Sequence, residues 1–179
     1  MSQLAILRLL ALLVMLGLSV SSDLKERRIP NRVTGFGLLA GLVIGAFLEG
    51  GLPVEALSGA ALALLLGFVI FALGGFGAGD AKLFAAVGAF VGPGGLFSVL
   101  AYAALTGGVL AMIYSIRRGA ILGHVANLKN LILHWITMAR AGHRTSLNRP
   151  ESESIPYGVA IAAGAVLALI FPLSLRGFL

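Results

Sequence analysis

Residues 54–84 read VEALSGAALALLLGFVIFALGGFGAGDAKLF. The first twenty, 54–73, carry one charge, Glu55, and are otherwise apolar or small. That is enough helix to cross a bilayer core of roughly 30 Å. The next eleven, GGFGAGDAKLF, set Asp80 and Lys82 among four glycines before a second apolar run begins. Two apolar runs around a short polar insertion describe a chain that re-enters lipid. The whole sequence agrees. Of 179 residues 59% are hydrophobic and 11% charged, with a mean hydropathy of +1.01. Soluble domains lie nearer 45–50% apolar and about 25% charged. The expected fold is all-α, a polytopic membrane protein forming one domain over 1–179. Cysteine is absent, which excludes a disulfide framework, a thiolate nucleophile and a cysteine zinc site.

Working outward, the hydropathy predicts six spans, at 4–22, 33–48, 54–73, 80–91, 96–116 and 156–173. The first contains Arg8 and is expected to be a retained span, because no A-x-A cleavage site precedes Asp23. The fourth is short: its apolar part, 81–91, spans about 17 Å at 1.5 Å per residue. It crosses only if its helix starts before Asp80 or if the glycine-rich stretch lies at membrane depth. The loops after spans one, three and five hold Lys25, Arg27, Arg28, Arg32, Lys82, Arg117, Arg118, Lys129, Arg140, Arg144 and Arg149, which is 11 of the 13 basic residues. The loop after span two has Glu49 and Glu55 and no base, and the loop at 92–95 has no charge. The positive-inside rule assigns the basic set to the cytoplasm of a plasma (inner) membrane. The net charge of +6 therefore reports cytoplasmic loops facing membrane lipid, and no nucleic-acid partner is expected.

In the loop 117–155, Ile121, Val125, Leu128, Ile132, Trp135 and Ala139 recur at helical spacing. This pattern predicts an amphipathic helix lying in the membrane interface. His124, His134 and His143 are too widely spaced for a metal pair on a helix, so neither a metal nor another cofactor is expected.

Seven residues are acidic, and only Asp23 and Asp80 are aspartates. The topology puts both at the cytoplasmic ends of spans. An ionisable group at membrane depth is costly to bury, and so points to a functional role. Two facing carboxylates share one proton and suit acid–base work on water. The ionised partner takes a proton from water, and the protonated one donates to a carbonyl oxygen. Each also has a structural reading: Asp80 as a helix N-cap, and Asp23 as the partner of Arg27 one turn on. Gly77 and Gly79 are expected to allow backbone shapes closed to other residues and the close approach of another chain. Lys82 is expected to extend toward headgroups. A transporter or channel with Asp80 as its ion site is the alternative, since broken helices with buried carboxylates also build ion sites.

The stretch Gly77-Ala78-Gly79-Asp80-Ala81-Lys82 resembles the G-x-G-D-x-K motif of the type IV prepilin peptidases, membrane aspartyl proteases of the GxGD class. Asp23-Leu24-Lys25-Glu26-Arg27-Arg28-Ile29-Pro30-Asn31 is similar to that family's upstream motif. Ile155-Pro156-Tyr157-Gly158 is similar to its late I-P-[FY]-G segment. The resemblance spans nearly the whole chain in order. It implies catalytic roles for Asp23 and Asp80, with Gly77, Gly79, Lys82, Pro30, Asn31, Pro156, Tyr157 and Gly158 as supporting motif residues. It also implies a prepilin or pilin-like substrate, cut at the cytoplasmic face just before its hydrophobic N-terminal helix. The larger family members carry a four-cysteine zinc segment and a methyltransferase-like region. Neither pattern occurs in this sequence, so methylation of the product is not expected. The compact form resembles the tight-adherence (Flp-type) peptidases and the archaeal preflagellin peptidases.

Overall fold

A computed structural model describes residues 3–73, 75–117 and 157–173. These residues form helices and no strand: α1 (Gln3–Glu26), α2 (Asn31–Glu49), α3 (Val54–Ala72), α4 (Ala78–Arg117) and α5 (Tyr157–Ile170). Residues 1–107 with 156–179 form one compact unit and 108–155 a second. Of the second unit only the end of α4 is described. The expected interfacial helix in 117–155 and the site residue Pro156 lie outside the described residues.

Local chemistry sets the helix ends. Arg27 takes a left-handed conformation, φ 52°, and its N–H donates to the Asp23 carbonyl at 3.0 Å. This is the single-bond left-handed stop of a helix C-terminus. Pro30 follows, has no N–H to give, and stands just before α2. Gly50, φ 70°, closes α2.

Four helical stretches among the described residues are long and apolar enough to cross a membrane: Gln3–Glu26, Asn31–Glu49, Val54–Ala72 and Ala78–Tyr114. The expected count of six is not reached on this measure, for two reasons. The predicted last span appears as α5, only 14 residues long, or about 21 Å. The predicted fourth and fifth spans lie in one element, α4.

That element is not a straight rod. Gly92 has φ 69° and ψ 176° inside α4, with Pro93 next. The contacts on either side of Gly92 run in opposite directions. Before it, Ala81 lies against Gly67 and Gly88 against Gly59, so 78–91 is antiparallel to α3. Gly79 lies beside Ile29, next to the end of α1, while Phe90, Val91 and Gly95 share a cavity with Arg8 near the start of α1. After the break, Ala103 packs on Gly164 and Gly107 on Ala160. Tyr102 Oη donates to the Phe171 carbonyl at 2.9 Å and Thr106 Oγ1 to the Ala160 carbonyl at 3.0 Å. The chain thus runs away from Asp23, turns at Gly92, and returns toward it. A left-handed φ is one that glycine adopts without a side-chain penalty.

Small residues hold these helices together, as expected where lipid supplies no hydrophobic drive between them. Gly37, Gly41 and Gly45, one turn apart on α2, meet Met15, Ala89 and Ala56 on three other helices. Gly59 and Gly88 bring α3 and α4 backbone to backbone. The core is Leu12, Met15, Leu16, Leu83, Phe84, Val87, Leu96, Val99 and Ile161. Large apolar side chains such as Leu10, Phe36, Phe47, Leu65 and Phe68 point outward instead, which suits a lipid solvent rather than water.

Candidate active site

Asp80 lies in the first turn of α4, one end of which was expected to be capped by it. The structure corrects its position. Gly77 is the residue before the helix, and its carbonyl accepts the Ala81 N–H at 3.1 Å. Asp80 is the third helical residue, and its Oδ2 accepts the Gly77 N–H at 2.9 Å. This is the reaching-back half of a capping box, not an N-cap. Such a bond holds the carboxylate over the glycine stretch while leaving its other oxygen available.

Asp23, 7% exposed, sits in the last turns of α1. Its Oδ2 accepts the Gly158 N–H at 3.0 Å. That amide lies in the first turn of α5, where helix N–H groups lack partners and favour an anion. Asp23 therefore caps a helix 135 residues away. Its expected pairing with Arg27 takes a different form, through the backbone bond that ends α1.

Ile29 joins the two halves. It is buried, and a β-carbon at Gly79 would stand 3.4 Å from its Cβ. One at Gly158 would stand 3.1 Å from its Cδ1 and 2.7 Å from Asp23 Oδ2. Ile29 thus lies between the glycine beside Asp80 and the glycine beside Asp23. Phe76, at the entry to α4, meets the Tyr157 ring at 6.0 Å and the Phe84 ring at 6.1 Å. Lys82 Nζ donates to Asn31 Oδ1 at 2.8 Å. Pro30 accepts the Val33 N–H at 3.0 Å through its carbonyl, which starts α2.

All three sequence segments that were singled out converge here: 23–31, 77–82 and the described part of the last, Tyr157 and Gly158. Two expectations change. Gly77 and Gly79 do not use glycine's special backbone freedom, since among the described residues the positive-φ glycines are Gly50 and Gly92. Lys82 was expected to extend to headgroups, but its exposed tip is held by Asn31. One of three ammonium hydrogens suffices for that bond, and it ties the two aspartate segments together. Ile29 and Phe76 were not singled out from the sequence. Ile29 carried a weak signal, as an apolar residue between four charges and a proline. Among the described residues no cluster of three or more histidine, aspartate or glutamate side chains could hold a metal.

A family model described as the type IV leader peptidase family matches residues 10–112. That is more than half of the chain, and it takes in both aspartates and the glycine stretch. No curated protein and no solved structure matches the chain. With its apolar helices and this match, the chain is a membrane protein that belongs to the type IV leader peptidase family.

Proposed function

We propose that this chain is an aspartyl endopeptidase of the GxGD type, which removes the leader from pilin-like precursors at the cytoplasmic face of the inner membrane. The observation that carries the reading is the convergence of the Asp23 and Asp80 segments on Ile29. Each carboxylate is held by an amide at a helix start, and each stands beside a glycine in contact with the same side chain. One carboxylate takes a proton from water as the oxygen attacks the scissile carbonyl carbon. The other, protonated, gives its proton to the carbonyl oxygen. The tetrahedral intermediate then loses its C–N bond. The amine leaves with a proton, and the leader keeps the new carboxylate. No covalent enzyme intermediate is required. The reversal at Gly92 supports counting α4 as two crossings, which with α5 makes six.

The basic residues near Asp23 support the cytoplasmic assignment, and the exposed apolar helix faces support a substrate presented from within lipid. The transporter reading finds no comparable support. An ion site of that kind sits at the break of a discontinuous helix. Here the break is at Gly92, beside Glu55, at the end of α4's first half remote from Asp80.

The test is co-expression with a small pilin precursor bearing a basic leader, read by the gel shift of the shortened product. Asp23→Asn and Asp80→Asn should each lower processing by at least about 100-fold while the protein remains in the membrane. Normal processing by either variant would exclude the dyad.

A further inference from the structure

A second polar feature lies far from the aspartates. Arg8 is fifteen residues before Asp23 on α1, about 22 Å along the helix axis. It opens onto a cavity of about 430 Å³, whose walls include Leu9, Leu12, Phe90, Val91 and Leu169. Its Nε is buried and has no hydrogen-bond partner. A guanidinium is donor-only and keeps its charge, so a buried donor left unmade is costly. Glu49 ends α2 and Glu55 lies in the first turn of α3. Both are exposed, and Glu49 Oε2 already accepts the Glu55 N–H at 3.3 Å. Neither supplies an acceptor to Nε.

We propose that this cavity binds one anionic phospholipid, with its phosphate on Arg8 and an acyl chain along the apolar wall. A phosphate offers the acceptor oxygens that fit a guanidinium fork. The volume decides between lipid and a free ion. At about 30 Å³ per water, the cavity equals roughly fourteen waters, within the range of small-molecule sites. A phosphate ion would fill a small part of it and leave apolar walls bare. A headgroup with the start of a chain fills both parts. The neighbouring Ile6, Leu10 and Leu13 on α1 are exposed, so the cavity borders the surface that lipid covers.

The experiment is native mass spectrometry of the full chain in mild detergent, with phosphatidylglycerol or phosphatidylcholine added at equal concentration. The unaltered protein should retain phosphatidylglycerol roughly ten-fold better, and Arg8→Gln should lose that preference. Arg8→Lys, which keeps the charge but not the buried Nε donor, should fall between the two. Equal retention of the two lipids by the unaltered protein overturns the proposal, and this arm needs no variant to fold. So does an unchanged preference in folded Arg8→Gln, or loss of the adduct to millimolar inorganic phosphate, which would indicate a free-ion site. Leader processing is not part of the readout, so the result is independent of the proposed protease activity.

Discussion

The glycines in the middle of the bundle and those at its aspartate end are the same residue used for different purposes. At Gly59, Gly88 and Gly164 an added methyl would run into the backbone of another helix. At Gly158 it would meet the carboxylate of Asp23, the far end of a side chain that can rotate away. At Gly79 it would meet only ordinary contact, 3.4 Å from Ile29. The first set determines how close the helices come. In the second, Gly158 determines where a carboxylate rests, and Gly79 has room to spare. Damage to the first set should unfold the protein, and damage to Gly158 should disarm it.

Substitutions at four positions can break or sharpen that contrast. Gly88→Ala should have the largest effect. Its methyl would meet the Gly59 carbonyl and stand 2.6 Å from Ala63 Cβ. Neither helix can yield without losing its neighbours, so a loss of about 3 kcal/mol is expected, measurable as a fall in thermal stability in detergent. Gly158→Ala comes next and should act differently. Helical content and melting stay near those of the unaltered protein, while leader processing falls about 100-fold as Asp23 is displaced. If Gly158→Ala instead melts early with normal specific activity, the distinction between the two glycine sets fails. Lys82→Met removes the bond to Asn31, and an exposed hydrogen bond of about 1 kcal/mol predicts roughly a five-fold drop in processing. Lys82→Arg, which keeps both a donor and the charge, should restore most of the activity. Gly79→Ala should be the mildest. Processing should stay within about two-fold, because alanine is the better helix former and its methyl has room.

Much of the fold was legible because hydropathy is additive along the chain. The runs 4–22, 33–48 and 54–73 became α1, α2 and α3 with ends moved by a few residues. The two aspartates stood out for a similar reason, as rare ionisable groups at the edges of apolar runs. What could not be read depends on contacts between distant residues. Asp23 finds its donor at Gly158, and Lys82 its acceptor 51 residues back at Asn31. Nothing local distinguishes an aspartate that caps its own helix from one that caps another. The glycines misled in the same way. Gly77 and Gly79 invite a conformational reading, yet left-handed geometry falls to Gly92, at a reversal the uncharged run 92–95 only hinted at. Arg8 read as an interruption in a span, and only packing shows that its Nε is buried beside a cavity with no hydrogen-bond partner.

Ile29 has one more implication. Its side chain is buried between Gly79 and Gly158, so the two glycines are held apart by the thickness of one hydrocarbon branch. That makes position 29 a spacer. A shorter side chain would let the walls approach, and a bulkier one would wedge them apart, with both carboxylates chemically intact. If the proposed dyad holds, the spacing of its two acids is set by an apolar residue that carries no chemistry of its own.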